Sequence, residues 1–357
     1  MWSKRRLVAG PLIGYYRNRI ILYGMNHSKL GLCVIGCGAY AAQFAGSMGK
    51  VRSEVDLYFA SRDAGKAEDY ARRFEGKGWF GSYAEAAECE YLDALYVCTP
   101  HHLHREHCQL GAENGKHVLV EKPLAHTSED GAAILKAAES SAITLMVAEN
   151  VRFITQVRRC KQLVLEGAIG DLRLINFQEE FPFRSGGWRS QEDLNGGGVT
   201  IDGGIHKFHF MRYLVGEPDS VFAVELPRAM TGQEGEDGMV TTLRWPNGTV
   251  GLINHSWTSG KPLPPSVQVA GTNGRISFEV GSGRLTVECG SKERTLRFSP
   301  DNRGIPLMVQ DFIESVREGR EPETSAAEGL KDLMLVNSAY NSARSGGVEK
   351  VSYPGCV

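Results

Sequence analysis

Through the first 150 positions, short apolar runs alternate with stretches whose apolar residues recur at helical spacing. Leu30 to Ile35, Val55 to Ala60, Leu92 to Cys98, His117 to Val120 and Ile143 to Ala148 read as buried strands. Between them the pattern predicts helices to about Met48, over Ala64 to Phe74, near Tyr83 to Glu88, over Leu103 to Asn114 and over Ser128 to Ser140. Gly115 supplies a natural stop for the fourth of these. Repeated β-α units of this kind predict a parallel, doubly wound α/β sheet with right-handed crossovers over residues 27–150.

After Asn150 the pattern changes. A helix is expected from about Thr155 to Glu166, followed by the strand-like Leu172 to Phe183 and a glycine-rich linker from Ser185 to Gly198. A further helix is expected over Thr200 to Val215, stopped by Gly216 and Pro218. From Val221 to Phe298 come β-rich runs broken at Asn247-Gly248 and Asn273-Gly274, turns that suit antiparallel hairpins. Helices near Leu307 to Glu318 and Ser325 to Ala343 close the chain. Residues 151–357 therefore read as a second, α+β domain on an open, mainly antiparallel sheet. Its helices suffice to cover one face, so the other must meet solvent or a partner.

Composition narrows the function classes. Of 357 residues 23% are charged and the net charge is −2, which gives no electrostatic case for nucleic acid or an anionic membrane. No apolar stretch reaches membrane-spanning length. Eight cysteines without CxxC spacing fit a reducing cytosol better than a zinc site or a disulfide framework, so a cytoplasmic location is expected. Residues 1–26 carry Lys4-Arg5-Arg6 and a short apolar run that Arg17 and Arg19 interrupt. They are set aside as an extension, with Met25 as an alternative start.

Gly36-Cys37-Gly38-Ala39-Tyr40-Ala41 follows the first strand and opens the first helix, the strand–turn–helix setting of a dinucleotide fingerprint. Gly36 permits the tight turn, and Gly38 lets a pyrophosphate approach the backbone. Helix N–H groups at Ala39 and Tyr40 face the anion. Twenty residues beyond Ala41, where an NAD site usually places a carboxylate, stand Ser61 and Arg62. Serine tolerates a 2′-phosphate and arginine can pair with one, so NADP is favoured over NAD; Asp63, two residues on, argues the other way. Two further strands end in Thr99-Pro100 and Glu121-Lys122-Pro123, where ligands of an open parallel sheet bind. The histidines at 101, 102, 104 and 107 lack His-Glu-x-x-His spacing or an arranged carboxylate, so no metal is expected.

In Gly196-Gly-Gly-Val-Thr-Ile-Asp202-Gly-Gly-Ile-His206, Asp202 and His206 are four apart and so share a helical face. Gly203 and Gly204 each cost a helix about 1 kcal/mol relative to alanine, which is tolerated where something packs closely on the backbone. Glu149 and Asn150 end the last strand at the edge of the interdomain cleft; Arg152, Trp188 and Arg189 are candidates to reach a substrate there.

Together, the fingerprint, Glu121-Lys122-Pro123 and the GGG-x3-D-x3-H run resemble the glucose–fructose oxidoreductase / inositol dehydrogenase (Gfo/Idh/MocA) family over about residues 28–345. The resemblance implies a Rossmann domain carrying NAD or NADP, a C-terminal domain with an open antiparallel sheet, and assembly as a homodimer or homotetramer. It implies hydride transfer at a hydroxyl- or carbonyl-bearing carbon of a carbohydrate or cyclic polyol. By motif, Lys122 matches the active-site lysine, and Asp202 and His206 match the family's Asp/His pair. Thr99, Pro100, His104 and Glu121 join Lys122 around the cofactor, with Pro100 beside the nicotinamide. Histidine titrates near 6.5 and lysine near 10.4, so His206 is the expected acid/base, Lys122 the polarising donor and Asp202 a positioning carboxylate. Two readings compete with it: a nicotinamide-dependent glycoside hydrolase or eliminase working through transient oxidation, and a non-enzymatic cofactor-sensing regulator, against which intact Lys122, Asp202 and His206 speak.

Overall fold

The computed structural model describes residues 29–258 and 260–353, together with the backbone of two antiparallel strands, Gly14–Tyr16 and Arg19–Ile21. Apart from that hairpin, the extension over residues 1–26 lies outside the described residues. The chain then enters β1 (Leu30–Ile35), α1 (Ala39–Ser47), β2 (Val55–Ala60), α2 (Ala64–Arg73), β3 (Gly78–Phe80) and α3 (Tyr83–Glu88). β4 (Ala94–Val97), α4 (His104–Glu113), β5 (His117–Val120), α5 (Ser128–Ser141) and β6 (Leu145–Val147) follow. All six strands are parallel, in the order β3-β2-β1-β4-β5-β6 of the doubly wound dinucleotide fold. Strands β1, β4 and β6 are buried along their whole length, as both-face coverage by helices requires. The edge strand β3 has no apolar run to announce it: Gly78-Trp79-Phe80 is only half-buried and pairs with β2 alone.

The second domain holds α6 (Thr155–Leu165), β7 (Leu172–Glu180), the short α7 (Glu192–Asn195) and α8 (Ile205–Val215). It continues through β8 (Ser220–Glu225), β9 (Gly238–Arg244), β10 (Val250–Ser256), β11 (Leu263–Gly271), β12 (Arg275–Glu279), β13 (Arg284–Cys289) and β14 (Lys292–Arg297). After α9 (Ile305–Glu318) and α10 (Ala326–Ser345), β15 (Glu349–Lys350) closes the sheet. The strand order is β14-β13-β12-β11-β7-β10-β9-β8-β15, antiparallel at every pairing except β7 with β10. One face buries Ile175, Phe177, Met239, Leu243, Ile253, Val267 and Val269 beneath the helices. The other leaves Leu174, Phe222, Val224 and Val240 exposed, the period-two alternation of a sheet covered on one side.

The last two helices return to the first domain. Ile305, Met308, Val309 and Phe312 of α9 pack with Phe44 and Met48 of the α1 region, and α10 lies between α5 and β8. The first turn of the helix expected over Thr200 to Val215 is not α-helical. Thr200–Gly204 forms a π-helical turn before the α-helix begins at Ile205. Packing explains the extra residue: a Cβ on Gly203 would stand 2.7 Å from His255 Nε2, so the wide turn and the glycine together let β10 approach.

Candidate active site

At the C-terminal edge of the parallel sheet, a cleft of about 460 Å³ is lined by the fingerprint residues Gly36 to Tyr40, then Ser61 to Asp63 and Lys66, and Thr99 to His101. Glu121, Lys122, Trp188 and Arg189 line it as well. Gly36 has φ +97°, and a side chain there would meet the Cys98 carbonyl at 2.8 Å. Gly38 has open space where a Cβ would point, and α1 starts on it without a side-chain cap or an acidic residue in its first turn. Free N–H groups at an open, glycine-lined helix start suit a pyrophosphate, so the residues present fit a dinucleotide.

Two carboxylates lie behind this lining. Asp202 comes from the π-turn and accepts from Lys122 Nζ at 3.3 Å and from Arg189 Nε at 3.0 Å, while its backbone carbonyl accepts from Lys122 at 2.6 Å. Burial opposes its ionisation, but the charges of Lys122, His101 and Arg189 hold it well below the usual carboxylate range. Glu149, at the end of the parallel sheet, accepts from the Val151 amide at 3.1 Å and faces His206 Nδ1 with its two oxygens at 2.7 and 2.8 Å. Burial works against that charge too; the contacts with His206 and the Val151 amide bring it down to about 2. Burial lowers His206 itself, and Glu149 only partly offsets it. At neutral pH the pair is a carboxylate and a neutral imidazole.

The remaining candidates divide. Trp188 and Arg189 stack, with the guanidinium 4.3 Å from the indole, and Trp188 meets the edge of His101 at 4.5 Å. Glu121 accepts from the buried Tyr96 hydroxyl, and burial raises its carboxyl to about 7. His104 is fully buried outside the cleft lining and faces the Pro123 and Thr99 carbonyls at 2.9 and 3.0 Å, tying the two strand-end turns together. Asn150 donates to the Arg303 carbonyl at 2.7 Å. Arg152 pairs with Glu323 at 3.2 Å and lies over Tyr213. None of Asn150, Arg152, Asp202 and His206 is among the residues lining the cleft; Asp202 adjoins it through Lys122 and Arg189, which are. Asp202 and His206 do not point at one target, as i,i+4 spacing would suggest; the π-turn separates them, one toward Lys122 and the other toward Glu149.

Sequence reasoning missed several supports. Lys66 reaches the cleft one turn into α2. The Tyr340 hydroxyl accepts from the Gly198 and Ile201 amides at 3.2 and 3.1 Å, and Glu236 accepts from the Thr200 amide at 2.6 Å. These distant residues hold the turn that carries Asp202, and no local signal marks them. Among the described residues no group of three potential metal ligands converges, and no helix is long and apolar enough to cross a membrane.

Burial lowers seven histidines: 101, 104, 107, 117, 126, 206 and 255. His104 falls to about 4. The unfolded chain binds protons at these positions first, so folding stability should drop as pH falls below about 6.5. His209 is raised by Asp332, and its contribution is instead complete below 6.5 and lost at higher pH. Glu121 and Glu236, which burial raises to about 7, also lose their contribution as pH rises from 5 to 7, but the seven histidines outnumber these three opposing groups. The denaturant midpoint is expected to be lower at pH 5 than at pH 7; an equal or higher midpoint at pH 5 would contradict this.

A doubly wound sheet with a fingerprint cleft, and a lysine held at its rim by a second domain, define a nicotinamide-dependent oxidoreductase. Family models agree on both halves: an oxidoreductase family with NAD-binding Rossmann fold matches residues 30–149, and a GFO/IDH/MocA C-terminal domain matches residues 157–277. The chain belongs to the Gfo/Idh/MocA oxidoreductase family. It is 31% identical to levoglucosan dehydrogenase of Pseudarthrobacter phenanthrenivorans, over 78% of this chain and 84% of that protein. It is 28% identical to D-xylose 1-dehydrogenase (NADP(+)) 2 of Haloferax volcanii, over 80% and 89%. Aldose-aldose oxidoreductase from Caulobacter crescentus superposes with a TM-score of 0.82 at 27% identity, covering 90% of this chain and all of that one.

Proposed function

We propose that the protein is an NADP-dependent dehydrogenase or reductase acting on a CH–OH group of a sugar, cyclic polyol or derivative. The observation that carries this reading is the meeting of Lys122, from the fingerprint domain, with Asp202 of the second domain beside the His206–Glu149 pair. Gly36, Gly38, Ala39 and Tyr40 would hold the pyrophosphate, with Thr99, Pro100 and Glu121 lining the path to Lys122. When bound, the nicotinamide supplies the hydride acceptor or donor. Lys122 donates a hydrogen bond to the reacting oxygen, and Asp202 fixes the ammonium. His206 takes the alcohol proton in oxidation and returns it in reduction. Trp188 and Arg189 offer an aromatic face and a fork of donors to substrate hydroxyls. The relatives named above act on carbohydrates, which favours that class. A panel of aldoses, inositols, keto-sugars and sugar acids, assayed by nicotinamide absorbance with both cofactors, tests the reading; cofactor binding without turnover of any member would count against it.

The cofactor preference rests on the end of β2. Ser61 is buried at the cleft wall, Arg62 and Lys66 line the same cleft, and Asp63 caps α2 by accepting from the Lys66 amide at 3.2 Å. Two cations suit a 2′-phosphate, and Asp63, the carboxylate beside them, has one oxygen engaged in the helix cap. The double variant Ser61→Asp/Arg62→Ala is expected to reverse the preference, because it adds repulsion and removes a pairing cation. Wild-type protein binding NAD(H) more tightly than NADP(H) in a direct titration would overturn this part.

The uncovered sheet face supports a homodimer or homotetramer: Leu174 of β7, Phe222 and Val224 of β8 and Val240 of β9 expose apolar surface on it. Light scattering is expected to give a multiple of 39.1 kDa, and a monomer at micromolar concentration would refute it. A cytoplasmic location belongs to the same reading, supported by the seven described cysteines, all of them free.

A further inference from the structure

His206 leaves one nitrogen unexplained. Nδ1 faces Glu149, whereas Nε2 has no partner among the described residues and the side chain keeps 18% of its exposure. Glu149 is far more enclosed, with its side chain 2% exposed. The turn Asn150–Phe153 fixes it from behind through the Val151 amide. The contact crosses the domain boundary, since Glu149 ends the parallel sheet and His206 opens α8.

We propose that Glu149 is a positioning residue: its carboxylate accepts the Nδ1 proton of His206 and so presents Nε2 as the unprotonated nitrogen to a substrate hydroxyl. An ionised carboxylate only accepts, so Nδ1 must be the donor, and a neutral imidazole carries one proton. Without Glu149 nothing among the described residues would assign that proton. The other titratable groups around His206 are Lys122 at the end of β5 and Lys207 on its own helix, cations that disfavour the imidazolium and select neither tautomer, and His255 of β10, which burial keeps neutral. His209 and Glu121 act on the carboxylate rather than on the ring.

This inference rests on the reading of His206 as the proton-transfer group, but its test does not need a substrate. The full-length protein would be labelled with ¹⁵N-histidine, and the His206 resonances assigned by their loss in His206→Asn. In wild type at neutral pH the proton is expected on Nδ1, with Nε2 bare. Glu149→Met removes the acceptor, so an Nε2–H signal should appear. Glu149→Gln removes only the charge and should lower the His206 titration by roughly one to three pH units. The acid limb of the kcat/KM profile should move the same way, while a merely structural role would leave both titrations in place. Wild-type His206 protonated on Nε2, or a tautomer and titration unchanged in both variants, would overturn the proposal. Should Glu149→Met fail to fold, the near-isosteric Glu149→Gln decides alone. An inactive wild-type enzyme with the expected tautomer would refute the function and leave only the tautomer set by Glu149 standing.

Discussion

Lys122→Met and His206→Ala are each expected to lower kcat/KM by at least a hundredfold while leaving the cofactor dissociation constant nearly unchanged. Neither residue belongs to the pyrophosphate turn, so binding energy at Gly36 to Tyr40 is untouched. Lys122 lines the cleft and is tied to Asp202; His206 carries an unpartnered nitrogen and a carboxylate behind it. Proton transfer by a positioned group contributes about 10²- to 10⁴-fold, and the lysine adds the hydrogen bond that polarises the oxygen. Steady-state kinetics with the best substrate of the panel, beside a cofactor titration, reads both quantities. Turnover near wild type in both variants would sink the catalytic assignment.

The second large effect concerns stability. Asp332 on α10 accepts from Arg212 and faces His209 Nδ1 at 2.7 Å, and the side chains of all three are at most 5% exposed. Removing one partner of a buried ionic cluster leaves the others without compensation, at a cost of about 3–5 kcal/mol. Arg212 keeps Glu217 and Glu328 at 2.9 and 3.0 Å, which places Asp332→Ala near the lower end, about 3 kcal/mol. His209 loses its only hydrogen-bond partner among the described residues, because its Nε2 is already buried without one. Denaturant unfolding is expected to show the fall in midpoint; a change within error would mean that the cluster contributes nothing net. The cluster anchors α8, so the same variant should also weaken activity, with His206 less firmly held.

What could be read from the sequence follows from how local the signals are. The strands of the first domain are continuous apolar runs, and the fingerprint is a six-residue pattern whose glycines have local reasons, such as the positive φ of Gly36. Lys122 was legible because a strand end in a parallel sheet is a position with a known use. The partner of His206 was not: Glu149 lies 57 residues earlier, and nothing in either segment points to the other. The expected α-helix over Thr200 to Val215 failed at its first turn for the same reason. The π-turn answers to His255 of β10, and periodicity cannot see a residue arriving from another strand. Arg152 looked like a cleft residue by position, yet Glu323, brought in by the return of the C-terminal helices, takes it up. Strand β3 was too short and too exposed to show a pattern.

The central claim, direct hydride exchange between a sugar or polyol carbon and the nicotinamide under the control of Lys122 and His206, is tested most directly by isotope transfer. The preferred substrate, deuterated at the carbon to be oxidised, would be incubated with wild-type enzyme and NADP, and the reduced cofactor analysed by mass spectrometry. The expected result is deuterium in the reduced cofactor in one-to-one proportion to oxidised product, with the rate lowered at least a hundredfold in Lys122→Met and His206→Ala. Product carrying its deuterium, with no label in the cofactor, would contradict the account.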